Sequence, residues 1–147
     1  MKNTIFHSSN DWRGLILRLT LGLIIFPHGA QKALGWFGGY GFSGTMGFFT
    51  DSMNLPWLIA FMVIVIEFVG SISLIAGFAS RIWSAWTIVL MLGIILTSHI
   101  DNGFFMNWFG NKRGEGYGYH LLIIGLSLAT LIIGSGKFSL DEKLSKG

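Results

Sequence analysis

Apolar residues in this chain fall into four long runs, at residues 15–34, 57–78, 82–98 and 119–134. A helix rises about 1.5 Å per residue and the hydrocarbon layer of a bilayer is about 30 Å thick, so roughly 20 residues cross it. Backbone polar groups in lipid must be hydrogen-bonded within the segment, which favours helices over strands at this length. The pattern therefore predicts an all-α membrane protein, a bundle of four transmembrane helices in a single domain over residues 1–147.

Composition supports the same fold class and excludes others. Hydrophobic residues make up 52% of the chain and charged residues 12%, so a water-soluble fold would expose too much apolar surface. The net charge of +3 could suggest nucleic acid, but the basic residues are scattered beside the apolar runs. No cysteine is present, which excludes disulfides, iron–sulfur ligation and zinc ribbons. We therefore expect the lipid bilayer to be the main partner and expect no nucleic acid.

The basic residues also predict an orientation. Because the first run contains Arg18 and Lys32, we interpret it as a retained span and not as a cleaved signal peptide. A cytoplasmic N-terminus puts seven basic residues on that side and three outside, which the positive-inside rule favours. The seven are Lys2, Arg13, Arg18, Arg81, Lys137, Lys143 and Lys146, and the three are Lys32, Lys112 and Arg113. We predict a multi-pass protein of the inner cell membrane with both termini in the cytoplasm.

Two long connections then lie on the extracytoplasmic side, at residues 35–56 and 99–118, and both are rich in glycine and aromatic residues. Connections of this length between helices are seldom plain linkers. We predict that they form an aromatic cap over the mouth of the bundle. A belt of rings at the lipid headgroups that only sets membrane depth is the alternative. The cap residues considered for binding are Trp36, Phe37, Tyr40, Trp108 and Phe109.

Ionisable residues inside the runs are the candidate chemistry. Glu67 lies near the middle of the second run, where an unpaired charge costs at least ~2.5 kcal/mol. Gly70 and Ser71, one turn further on, predict that its face packs against another helix. Arg18 could reach the cytoplasmic surface or form a structural clamp with Glu67. The functional alternative is a carboxyl group with a raised pKa that moves protons.

Polar residues near the outer side complete the candidate site. His28, Gln31 and Lys32 share one face of the first run. His99 ends the third run and His120 begins the fourth, so their convergence would create a polar pocket beneath the cap. A single histidine at an interface is otherwise an ordinary hydrogen-bonding residue. Helical ligand spacing such as H-x-x-x-H is absent, so no metal site is predicted, and bis-histidine haem is a weaker alternative.

Several sequence blocks along the chain together match one family. They are Arg18-Leu19 to Gly22, His28-Gly29, Gln31-Lys32, Gly35 to Gly39, Gly44-Thr45, Glu67 to Gly70, Arg81 and Gly134 to Asp141. With these blocks the chain resembles the DoxX family of membrane proteins. The resemblance covers most of the chain and implies a small membrane subunit of a quinone-linked oxidoreductase or another membrane redox complex. The last block begins a charged tail, which we expect to be solvated, with Ser139 or Asp141 capping a short helix.

Residues and resemblance combine into one hypothesis. A quinone needs an apolar slot, donors for its two oxygens and groups that exchange protons. Glu67 and His28 are the candidate proton relay. The candidate binding residues are Arg18, Gln31, Lys32, Trp36, Phe37, Tyr40, Trp108, His99 and His120. No motif for an electron-carrying cofactor is visible, so a redox partner protein would carry flavin or metal.

Two function classes stay open beside the redox subunit, and whether the chain is itself an enzyme also stays open. The first alternative is a small proton-coupled carrier or pore in which Arg18, Glu67 and His28 line a polar path. The second is a non-catalytic membrane anchor whose outer connections dock a partner. The substrate, the partner and the oligomeric state do not follow from the sequence.

Overall fold

A computed structural model describes residues 10–146, and over this range the chain is helical with no β-strand. Four longer helices carry the fold: α1 (Trp12–Leu34), α3 (Trp57–Ala76), α4 (Ser80–Asn102) and α5 (Gly118–Ile133). Two short helices accompany them, α2 (Gly41–Gly47) in the first connection and α6 (Leu140–Lys146) after α5. The all-α prediction is confirmed.

Helix lengths support a membrane protein. The helices α1, α3 and α4 are long and apolar enough to cross a membrane, whereas α5 is apolar but has only 16 residues. The end of α3 comes two residues before the predicted limit of that span. Gly77 follows the helix with a left-handed φ of 70°, the usual conformation of a residue that ends a helix. Lys2, which was counted towards the orientation, lies outside the described residues.

Consecutive long helices run antiparallel and pack around one core. Helix α1 contacts α3 and α5, and α4 contacts α5 and α3. One end of the bundle carries the short turn between α3 and α4 together with α6; we call it the turn end. The other end carries the two long connections; we call it the loop end. The core residues that fill the bundle are Leu21, Ile25, Ile66, Leu74, Leu90, Met91 and Ile123.

The start of α1 is fixed locally. Asp11 caps the helix, because its Oδ1 accepts a hydrogen bond of 2.8 Å from the backbone N–H of Arg13. The Arg13 side chain also bonds the carboxylate and thereby lowers the pKa of Asp11. The carbonyl of Asp11 accepts the N–H of Lys137 at 3.0 Å. This last bond ties the beginning of α1 to the segment that follows α5.

Three π-helical turns interrupt the regular helices. They are Phe48–Ser52, which continues α2, Ile66–Gly70 within α3, and Ile95–His99 within α4. A π turn inserts one extra residue into the hydrogen-bond ladder and changes the direction in which nearby side chains point, and such turns are frequent at functional sites. All three contribute side chains to the same cavity.

Candidate functional site

Helices α1 and α3 pack backbone against backbone at Gly29. A Cβ atom at this position would lie 2.4 Å from the carbonyl carbon of Glu67, so only glycine fits against the α3 backbone there. On the same α3 surface, Ser71 is fully buried, and a Cβ on Gly70 would lie 2.7 Å from the Trp83 ring of α4. The Glu67 face therefore packs against neighbouring helices.

Glu67 forms an ion pair with Lys32, one turn beyond Gly29. Lys32 Nζ lies 2.5 Å from Glu67 Oε2, and the Glu67 side chain is 5% exposed. A paired carboxylate avoids most of the cost of an isolated charge in an apolar setting. The Arg18–Glu67 clamp considered from the sequence is therefore wrong, because Lys32 lies much nearer along α1 and occupies the carboxylate.

The ion pair lies at the edge of a cavity of about 830 Å³, within the size range of small-molecule sites. Apolar side chains from α1, α3, α4 and the first connection form most of its wall. The polar and titratable side chains that line it are His28, Lys32, Glu67, Thr97, Ser98, Tyr119 and His120. The arrangement offers an apolar chamber with hydrogen-bonding groups concentrated at the loop end.

Aromatic contacts connect the rings along this polar edge. His28 and Tyr119 have ring centroids 6.4 Å apart, and Tyr119 and His120 have theirs 5.5 Å apart. His120 also lies against His99, with ring centroids 4.4 Å apart. The structure therefore brings three histidines, one tyrosine and an ion pair from α1, α3, α4 and α5 into one neighbourhood.

The predicted cap aromatics do not wall this cavity. Trp36, Phe37, Tyr40, Trp108 and Phe109 are all exposed, with Phe109 at 89%, and none of them is among the lining residues of this cavity. In this respect the sequence-based expectation is wrong.

The cause lies in how the first connection turns after α1. The backbone at Gly39 packs directly against Gln31 of α1, and Gln31 Nε2 donates 3.2 Å to the Phe37 carbonyl. Phe37 itself takes a left-handed φ of 53°. This tight turn directs the rings of the first connection away from the bundle axis. Gln31 stabilises the turn and does not line the cavity.

Other residues take the places that the cap was expected to fill. Phe48 and Phe49 come from the π turn after α2, Trp86 from α4 and Tyr119 from the start of α5. Tyr119 could have been found from the sequence, since it precedes His120 at the loop end of a span. The π turns carry no sequence motif, so the sequence does not predict that Phe48 and Phe49 line the cavity.

Arg18 belongs to a separate buried cluster at the turn end. Its guanidinium group makes five hydrogen bonds to backbone carbonyls, and the side chain is almost completely buried. The acceptors are the carbonyls of Leu74, Ile75, Ser135, Lys137 and Phe138. Arg18 thus joins α1 to the end of α3 and to the segment after α5. It neither reaches the cavity nor snorkels to the surface.

The tail after α5 is not simply solvated. Asp141 is buried, and its carboxylate accepts the backbone N–H groups of Ala79 at 2.7 Å and Ser80 at 3.1 Å at the start of α4. The Ser135 hydroxyl also donates to it. The Ser139 hydroxyl accepts the N–H of Glu142 at 3.1 Å, which caps α6 as expected. The tail therefore closes the turn end of the bundle.

Comparison with known proteins agrees with the resemblance in the sequence. The DoxX family model matches residues 14–100, a range that contains Arg18, His28, Lys32 and Glu67. A Bacillus subtilis (strain 168) protein named "Putative oxidoreductase CatD" is 32% identical over 133 residues, covering 90% of this chain and 87% of that protein. No solved structure matches. The chain is a membrane protein, and it belongs to the DoxX family.

Proposed function

We propose that this chain is the small membrane subunit of a quinone-linked oxidoreductase and that the cavity binds the quinone head group. The proposal rests on one observation: the buried Lys32–Glu67 pair borders a large apolar cavity. The name of the Bacillus relative supports an oxidoreductase complex, and the apolar lining supports a lipid-soluble ligand. A partner protein would carry the flavin or metal that exchanges electrons.

The proposed topology has α5 as the fourth span, both termini in the cytoplasm and the loop end outside the inner membrane. Arg13, Arg81 and Lys137 lie at the turn end, and Lys112 lies in a loop-end connection. The positive-inside rule favours a cytoplasmic turn end for this distribution. The whole chain then forms one domain, in which the cavity opens towards the outer half of the bilayer.

Access from the bilayer is supported by the wall of the cavity itself. Leu58 and Ile59 of α3 and Val89 of α4 line the cavity and are also more than half exposed on the bundle surface. A ligand dissolved in lipid can reach such a chamber from the side without crossing water. A quinone head could then enter while its tail stays among acyl chains.

The polar edge would supply the chemistry that a quinone needs. The Lys32 ammonium has three hydrogens, of which one bonds Glu67, so a further N–H can be donated to a quinone oxygen. His28 and Tyr119 also line the cavity, with ring centroids 6.4 Å apart, and are further donors. In this proposal Glu67 accepts a proton and passes it to the ligand as the ligand is reduced.

A continuous polar path through the bundle, as a carrier or pore would require, has less support. Arg18 and His28 are separated along α1 by Leu21 and Ile25, which are both buried in the core. Arg18 is also fully engaged by carbonyls at the turn end. We therefore prefer a one-sided binding chamber to a transmembrane route.

Substitutions of the proposed relay test the function. In membranes that contain the full chain and its redox partner, Glu67→Gln and His28→Ala should each abolish reduction of added ubiquinone-1. Asp51→Asn is the matched control, because it makes the same carboxylate-to-amide change at an exposed loop-end site that does not line the cavity. Normal turnover in both relay variants contradicts the proposal. If turnover stayed normal in both relay variants but was lost when the whole chain was deleted, the chain would act as a membrane anchor and not as the quinone site.

A further inference from the structure

The proposed quinone site needs a supply of protons, and the residues discussed above do not connect it to water. Reduction of a quinone forms two O–H bonds and consumes two electrons and two protons. The electrons would come from a two-electron donor of the flavin class on the partner. Glu67 is only 5% exposed and is paired with Lys32 as a carboxylate, so it has no proton to give until one reaches it. A path from water to the cavity is therefore needed.

His99 and His120 bridge the distance between the cavity and the loop-end surface. His120 lines the cavity and is nine-tenths buried, and its Nδ1 makes no hydrogen bond within the described residues. A buried ring nitrogen without a partner is uncommon, because its desolvation is not compensated. His99 is only half-buried and lies 4.4 Å from His120 between ring centroids.

The contact made by His99 determines which of its nitrogens can accept a proton. Nδ1 lies 2.7 Å from the backbone carbonyl of Glu115 in the second connection. A carbonyl oxygen only accepts, so Nδ1 carries hydrogen in this contact. In the neutral ring Nε2 is then the free acceptor, and protonation there gives an imidazolium that can pass a proton on.

The surroundings differ on the two sides of the histidine pair. The titratable groups on the cavity side are His28, Lys32, Glu67 and Tyr119. On the loop side, Asp101 follows His99 by two residues and is exposed, as is Glu115. His99 therefore has exposed acidic residues on its loop side, and it contacts His120, which lines the cavity, on the other. The position of His99 in a π turn turns its ring towards α5.

We propose that His99 and His120 carry protons between water at the loop end and the cavity. The proposal rests on the proposed quinone function. His120 is the inner member, which exchanges a proton with the ligand or with Glu67 across the cavity. His99 is the outer member, which takes a proton from water and passes it to His120, so it acts on the ligand only through His120. In the proposed topology the protons are taken up from the extracytoplasmic side.

The experiment compares two histidine variants in the same membranes. His120→Ala should lower ubiquinone-1 turnover about 100-fold, the usual contribution of one acid–base group, while ubiquinone-1 binding to the purified full chain stays unchanged. Added imidazole should restore much of the lost turnover, because it has the same ring as the removed side chain and fits the vacated space. His99→Gln keeps a side-chain donor for the Glu115 carbonyl but cannot titrate, so it should be slow as well.

Ser127→Ala is the matched control. Ser127 is completely buried on α5 two turns beyond His120, and it does not line the cavity. Its variant should keep wild-type turnover and show no response to imidazole.

The possible results separate the two proposals. Wild-type turnover in the histidine variants overturns the proton route and leaves the quinone site standing. Parallel loss of binding and turnover in His120→Ala, without relief by imidazole, assigns the ring to packing and also overturns the route. If the wild-type chain neither binds nor reduces ubiquinone-1, the proposed function fails and the route fails with it.

Discussion

Two clusters of buried charge lie at opposite ends of this bundle, and they are built differently. At the turn end, the five guanidinium hydrogens of Arg18 match five carbonyl acceptors, and Asp141 accepts from Ala79, Ser80 and Ser135. At the loop end, Lys32 bonds Glu67 closely, and among residues 10–146 it otherwise makes only a long contact of 3.5 Å to the His28 carbonyl. One cluster is saturated, whereas the other keeps unused donors beside a cavity.

The difference shows that burial of a charge is not by itself evidence of function in an apolar bundle. A saturated charge fixes chain segments in place, and the turn-end cluster does this for α1, α3, α4 and the tail. A charge with spare hydrogen-bonding capacity can meet a ligand without first breaking a structural bond. We therefore assign stability to the turn end and chemistry to the loop end.

Arg18→Ala should have the largest effect on stability. It leaves five carbonyls without their donor in a buried site, and each buried acceptor left without a partner costs about 1–3 kcal/mol. Thermal unfolding in detergent, followed by circular dichroism, should show a much lower midpoint or no folded protein. Arg13→Ala is the control, because the Arg13 side chain is 76% exposed. Equal midpoints for the two variants would contradict the structural role of Arg18.

Gly29→Ala should have an intermediate effect that reaches the loop end. The new Cβ would lie 2.4 Å from the Glu67 carbonyl carbon, so α1 and α3 must separate, at a cost of about 1–3 kcal/mol. Separation should also loosen the Lys32–Glu67 contact and weaken ubiquinone-1 binding. Gly125→Ala is the matched control in α5, since nothing lies within 4 Å of its Cβ position. A stable Gly29→Ala protein with normal binding would show that the close approach is dispensable.

The sequence predicted the positions of the long helices well, because three of the apolar runs have the length of a span and polar connections separate all four. The predicted inward face of Glu67 also followed from small neighbours, and Ser71 is indeed buried. The sequence did not predict that Lys32 is the ion-pair partner of Glu67. Arg18 and Lys32 are both cations on α1, and the sequence does not show that the tail returns to supply carbonyls for Arg18.

The first connection was misjudged for a related reason. Aromatic composition predicts rings near a membrane interface, but it does not determine towards which side they point. The return of the chain at Gly39 turns Trp36 and Tyr40 outwards, while the π turn after α2 brings Phe48 and Phe49 to the cavity. Both effects depend on backbone geometry that residue types alone do not encode.

The double variant Lys32→Met/Glu67→Met should have the smallest effect on stability and the clearest effect on binding. Replacing a buried ion pair by apolar residues of similar volume is often neutral, so unfolding should stay within about 1 kcal/mol of wild type. Each single variant leaves one charge without its partner and should be less stable than the double variant, which a double-mutant cycle measures. Ubiquinone-1 binding should be much weaker in the double variant, because the Lys32 ammonium no longer donates to a quinone oxygen at the cavity edge. If the double variant instead unfolded as readily as Arg18→Ala, the loop-end pair would be a structural clamp like its turn-end counterpart, and the distinction between the two clusters would not hold.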